Sequence, residues 1–241
     1  MAQLRSDASV RKVSVLISAL FFFFMVSAGQ AQSVDKVTTY QDENGWKLQV
    51  NGEDFYIKGV VWGYAPPGTN YSYSIWNQPE DLIKKIVDKE FSLMKAANIN
   101  AIRTFATVPA KWVTYIYQEY GIMTVINPLM GRYGATIGGV WVATTDYSDP
   151  LTRETLKAEI ADVVEEYHNV PGVLMFALGN ESNYGLSWSA SFEIENLPTA
   201  GERNLEKARF LYSLYDEVIK AGKAIDNNHP FTIVNGDLQY I

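Results

Sequence analysis

The 241-residue chain contains no cysteine and only two histidines, His168 and His229. The first absence removes thiol nucleophiles and thiolate metal sites from consideration. The second leaves a histidine-based metal centre or a serine triad with few candidate members, so neither a metal nor a cofactor is expected. Both histidines stand in short connectors leading into strands, where a structural role is expected for each. Basic charge is also scarce: 20 Lys and Arg face 27 Asp and Glu, a net charge of −7. Such an acidic chain argues against nucleic acid and anionic membrane surfaces as partners, whereas neutral or cationic glycans remain compatible. No glycine-rich phosphate loop follows the first predicted strand, which weakens a nucleotide-binding reading. A chain of this size can bury enough core without disulfides, so their absence does not contradict export.

Export is expected from the N-terminus. Arg5, Arg11 and Lys12 precede an apolar run over residues 13–26, too short for the about 20 residues of a membrane-spanning helix but suited to a signal-peptide core. Gly29-Gln30-Ala31 offers a cleavage site after Ala31, with an uncleaved anchor as the alternative. Removing residues 1–31 takes three of 20 basic and one of 27 acidic residues, leaving 17 against 26 and a net charge of −9. A periplasmic or extracellular protein without stable membrane insertion is the expectation.

Beyond residue 32 the chain alternates strand and helix patterns. Trp46 to Val50 alternates apolar and polar, and Asn51-Gly52 turns it into Phe55-Tyr56-Ile57, which predicts a β-hairpin. Its second arm runs on through Lys58 to Trp62, a first core strand. Further strands are predicted over residues 99–105, 122–127, 173–178 and 231–235. Helices are predicted from about Pro79 to Ala97, from Ala110 to Tyr120, from the Asp149-Pro150 cap to Tyr167, and from about Arg203 to Ile225. Uninterrupted alternation of strand and helix is the pattern of a parallel sheet. Three of the four connectors leaving the strands are long (63–78, 128–148, 182–202), whereas those entering are short, as in a barrel enzyme that elaborates one face. The long loops hold Tyr64, Tyr71, Tyr73, Trp76, Tyr133, Trp141, Tyr147, Tyr184 and Trp188 among Gly, Ser, Thr and Asn. About half are expected to pack the loops down; the rest can stack on pyranose rings.

The stretch that organises the chain runs from Val173 to Ser182. It opens as an unbroken apolar run of strand length and ends in Gly179-Asn180-Glu181, which delivers a carboxylate to the point where the chain leaves the sheet. From Asn169-Val170-Pro171-Gly172 through Gly179-Asn180-Glu181-Ser182-Asn183-Tyr184-Gly185 it resembles the acid/base strand of glycoside hydrolase family 2 and, more loosely, the superfamily of retaining (β/α)8 glycosidases. Val170 stands where that family commonly has His, and Phe176 where it commonly has Trp. The resemblance implies an α/β fold, a (β/α)8 TIM barrel with an N-terminal β-hairpin. It implies Glu181 as general acid/base, Asn180 as a contact to the sugar 2-hydroxyl, and Arg103 beside the nucleophile. Trp62, at the end of a segment resembling the superfamily's first strand, and the loop residues Tyr184 and Trp188 complete the expected substrate-binding set. The expected domains are a signal peptide (1–31), an N-terminal segment with the hairpin (32–54) and a partial barrel (55–241).

Only about five of eight strands are visible, and a retaining pair needs a second carboxylate about 5–5.5 Å from the first. By resemblance that nucleophile lies beyond Ile241, so the chain is expected to be a fragment or truncated product. A retaining glycosidase acting on a poly- or oligosaccharide leads. A transglycosylase or a non-catalytic glycan-binding protein on the same scaffold are the alternatives.

Overall fold

The structure is a computed structural model that describes residues 34–70, 72–186 and 199–236. The predicted signal peptide, Tyr71 and Trp188 lie outside these residues.

The described chain opens with an antiparallel three-stranded sheet, β1 (Val37–Asp42), β2 (Gly45–Val50) and β3 (Glu53–Asp54). The Asn51-Gly52 turn is present, with both residues at positive φ (54° and 86°), as a two-residue hairpin turn requires. Its returning arm is shorter than predicted, however, because the chain leaves the pairing after Asp54 and Phe55 contributes a single bond to Leu48 O. The longer partner of β2 is β1, six residues in register from Val37↔Val50 to Asp42↔Gly45.

A five-stranded parallel sheet follows. Its strands are β4 (Gly59–Val61), β5 (Ala101–Arg103), β6 (Met123–Ile126), β9 (Val173–Leu178) and β10 (Phe231–Ile233). Between them run α1 (Glu80–Ala96), α2 (Ala110–Tyr120), α3 (Pro150–Tyr167) and α4 (Ala200–Ile225). Along the sheet the order is β10-β9-β6-β5-β4; each of the first four strands in the chain is followed by a helix, and each later strand pairs beside its predecessor, the arrangement of consecutive βα units in a (β/α)8 barrel. A small hairpin, β7 (Ala135–Ile137) and β8 (Val140–Val142), stands in the loop after β6.

Local chemistry sets the helix ends. Asp149 accepts a hydrogen bond from Thr152 N (2.7 Å) with Pro150 in the first turn, and Thr199 and Glu202 form a reciprocal capping box. Gly121, at φ 69°, ends α2. The core falls into two clusters. Ile102, Ile126, Val173, Phe176 and Leu178 pack in the larger one with residues of the helices, whereas Ala101, Met123 and Leu174 form a second cluster with Val37, against which Leu48, Val50 and Phe55 pack. The N-terminal sheet therefore covers the ends at which the parallel strands begin. Val37 N donates to Asn228 O (2.7 Å) on that side.

Both histidines are structural. His229 is buried and its Nδ1 pairs with Asp226 Oδ2 at 2.7 Å, while His168 Nδ1 meets Glu165 O at 2.9 Å. Among the described residues no helix is long and apolar enough to cross a membrane, and no cluster of three metal-ligating side chains is found.

Candidate active site

The strands β5, β6 and β9 end on one side of the sheet, and each presents a polar residue there. Arg103 closes β5, Asn127 follows β6, and Asn180 and Glu181 follow β9. Arg103 donates from Nε to Asn127 Oδ1 (2.7 Å) and from Nη2 to Asn180 Oδ1 (2.6 Å). Asn127 uses its amide nitrogen to hold two carbonyls of the neighbouring strand end, Gly179 O (2.8 Å) and Ala177 O. Asn180 is buried and passes the chain outward, its Nδ2 donating to the Tyr133 hydroxyl (2.7 Å). Burial lowers the Arg103 pKa from its ordinary value, opposed by the charge of Glu181 nearby. The guanidinium also rests 5.1 Å from the centre of the Phe105 ring.

Glu181 stands above this network with its side chain exposed and its backbone in the left-handed region (φ 53°). Three bonds keep that conformation: Glu181 N donates to Val234 O (2.9 Å), and its carbonyl accepts from Tyr184 N (3.0 Å) and Arg132 Nε (3.2 Å). Gly179, two residues earlier, turns the chain off β9 at φ 74°. A Cβ there would run into the Tyr215 hydroxyl and stand 2.7 Å from Ser182 Oγ, two groups that bond each other at 2.9 Å. The Gly-Asn-Glu-Ser sequence is thus a backbone requirement as well as a set of side chains.

An open cavity of about 870 Å³ lies over these residues, lined by Arg103, Phe105, Leu129, Tyr133, Asn180 and Glu181. Of the six site residues predicted from sequence, Arg103, Asn180 and Glu181 meet here. Trp62 does not line this cavity. It is buried, stacks edge-on against Phe91 at 5.0 Å, and borders a separate space of about 250 Å³ with Tyr64, Tyr73 and Trp76. Tyr184 is half-buried and spends its hydroxyl on Gly236 O (2.6 Å), tying the β9 exit to the β10 exit together with the Asn183 Oδ1 bond to Gly236 N (2.8 Å). Trp188 lies outside the described residues. Of the other loop aromatics, Tyr147 is buried, Tyr64, Tyr73 and Trp76 pack on the core, and Tyr133 and Trp141 stay exposed.

Two members of the network were not singled out as site residues by sequence reasoning. Asn127 ends a predicted strand without a motif of its own, and Tyr133 is one aromatic among nine in the loops. Only the first had a local signal, a polar amide at the exit of an otherwise apolar strand.

The family model "Glycosyl hydrolases family 2, TIM barrel domain" matches residues 44–235. The chain therefore belongs to glycosyl hydrolase family 2, through its TIM barrel domain. A beta-galactosidase from Lactococcus lactis subsp. lactis (strain IL1403) is 24% identical over 148 residues, covering 61% of this chain and 13% of the relative. A beta-galactosidase from Pseudoalteromonas haloplanktis is 28% identical over 154 residues, again covering 61% of this chain and 13% of the relative. The chain thus spans a small part of the length of the curated relatives it matches. Among solved structures, the Bifidobacterium dentium beta-glucuronidase complexed with coumarin-3-O-glucuronide superposes with a TM-score of 0.55 at 17% identity, covering 86% of this chain and 27% of that one. The Eisenbergiella tayi GH2 beta-galacturonidase bound to galacturonate gives 0.51 at 14% identity, covering 83% and 28%. At these identities the likeness is one of fold.

Proposed function

We propose that this protein acts as a retaining glycoside hydrolase on the O-glycosidic bonds of a poly- or oligosaccharide, with Glu181 as its general acid/base. The observation that carries this reading is the position of Glu181: exposed on an open cavity at the end of the fourth parallel strand, with the Arg103–Asn180 pair fixed beneath it. Family membership supports the same reaction class.

In the first step Glu181 gives its proton to the departing glycosidic oxygen as a second carboxylate attacks the sugar; in the next it takes a proton from the water that releases the product. Glu181 is the one carboxylate lining the cavity among the described residues. The nucleophile is therefore assigned to a strand outside them, the seventh in the barrel. Arg103 lines the cavity beside Glu181, where its charge would keep that nucleophile ionised. The beta-galactosidase relatives favour a β-linked hexopyranoside as substrate.

Replacing Glu181 by Gln keeps the shape and removes the proton. The expected loss is about 10²- to 10⁴-fold on substrates with poor leaving groups. Aryl glycosides whose leaving groups need little protonation should lose less in the glycosylation step. Equal losses on both substrate types would sink the acid role.

We also propose that residues 1–31 are a signal peptide and that the mature protein is exported. N-terminal sequencing of the secreted protein should then begin at Gln32; a chain retained at full length in the cell would overturn it.

A further inference from the structure

The hydrogen-bond polarity around Asn180 determines what Tyr133 does. Arginine can only donate, so the Asn180 amide must turn its oxygen to Arg103 Nη2 and its nitrogen the other way. That nitrogen donates to the Tyr133 oxygen at 2.7 Å. The phenol is therefore used here as an acceptor, and its own O–H is directed elsewhere. Hydrogen bonds among the described residues give that O–H no acceptor. Tyr133 is 55% exposed and lines the same cavity as Glu181.

Its ring is held in place from the other side. The Arg132 guanidinium lies 5.0 Å from the ring centre, and Arg132 Nε donates to the Glu181 carbonyl at 3.2 Å. Phenol and acid/base backbone are thus tied to one another twice, once through Arg132 and once through the Asn180 side chain. The Arg103 charge also polarises the Asn180 amide, which in turn makes the phenolic O–H a better donor.

We propose that the Tyr133 hydroxyl is a substrate-reading donor: it gives a hydrogen bond to an oxygen of the sugar unit seated against Glu181, and selects glycosides that carry an acceptor at that position. This rests on the glycosidase reading and adds to it a residue from the β6 loop.

The test uses the full-length protein, the best-cleaved member of a panel of 4-nitrophenyl β-hexopyranosides, and that substrate's monodeoxy analogues. Tyr133→Phe keeps the ring and removes the O–H. It should lower kcat/KM on the parent glycoside roughly tenfold, the worth of one hydrogen bond; because it also takes the acceptor from Asn180 Nδ2, a small fall in melting temperature accompanies the loss. On one deoxy analogue the variant and wild type should be equal, because the acceptor is already gone. Equal rates for both proteins on the parent would overturn the proposal. So would a loss of the same size on every analogue, which marks a residue that only holds Asn180. Glu181→Gln, assayed on an alkyl glycoside of the same sugar, reports separately on the acid role: an unaltered rate there would remove the acid/base assignment while leaving the Tyr133 comparison readable.

Discussion

The two ends of the parallel sheet handle polar groups in opposite ways. Where the strands begin, Val37, Ala101, Met123 and Leu174 form an apolar cluster under the N-terminal sheet, and polar side chains there pair with one another to tie that sheet down. Buried Asp35 takes hydrogen bonds from Asn51 Nδ2 (2.7 Å) and Tyr117 OH (3.0 Å). Burial, with the charge and hydrogen bond of Asp35 beside it, pushes the Tyr117 phenol up to about 12. Where the strands end, the chain Asn127–Arg103–Asn180–Tyr133 opens onto a cavity and finishes on an exposed hydroxyl. One end uses polar pairing to fasten a lid, and the other uses it to aim side chains outward. Stability and chemistry should accordingly separate along the strand axis, and substitutions at each end can break or sharpen that division.

The largest effect on stability is expected at the lower end. Leu174→Ala empties a fully buried site and should cost about 2–5 kcal/mol, read by denaturant titration, with an unaltered KM in the surviving fraction. A raised KM would show that the two ends are coupled. Gly179→Ala tests a position at the upper end where stability and presentation of Glu181 meet. Its Cβ must displace the Tyr215 hydroxyl at positive φ, so roughly 1–3 kcal/mol of stability and the turn that presents Glu181 should be lost together. Wild-type activity in that variant would mean that the turn tolerates a shift.

Asn127→Ala should remove about 1–3 kcal/mol by leaving two strand-end carbonyls without their donor. Because it also frees Arg103, kcat should fall while KM changes less; a purely structural role predicts lower stability with normal kinetics.

The smallest effect is a slope. For Asp226, burial opposes ionisation, but the hydrogen bond and charge of His229 and the backbone N–H groups of Asn228 and His229 outweigh it, so its pKa falls below the ordinary carboxylate value. A depressed native pKa adds stability above about pH 4, the unfolded value, and that stability is lost as pH falls through the native pKa. Asp226→Asn should therefore flatten the stability profile below about pH 4, followed by acid unfolding. An unchanged slope would remove Asp226 from the acid-sensitive groups.

Much of the fold was legible because its punctuation is local. Asp149-Pro150, Gly121 and the apolar runs 122–126 and 173–178 each declare their element within a few residues, and the structure places helices and parallel strands there. The misses are pairings and caps. Val37–Asp42 reads as a polar segment until β2 is set against it, and β7–β8 is short enough to pass for loop around Gly138-Gly139. The start of α4 three residues before Arg203 follows from the capping box of Thr199 and Glu202. The site divides the same way. Gly179-Asn180-Glu181 is contiguous and could be read, whereas Asn127 and Tyr133 reach Arg103 and Asn180 across 24 and 47 residues of chain. No periodicity encodes such contacts.

The left-handed backbone at Glu181 has a consequence for how this protein can change. At φ 53° a glycine, or next best an asparagine, is the residue the local chain prefers, and an ordinary side chain there costs about 1–2 kcal/mol. A library screened for heat resistance alone would therefore drift toward Gly or Asn at position 181, because each relieves the backbone. The winners of such a screen would be sturdier proteins without the carboxylate proposed as acid/base. On that proposal, selection for catalysis is what holds glutamate at this position.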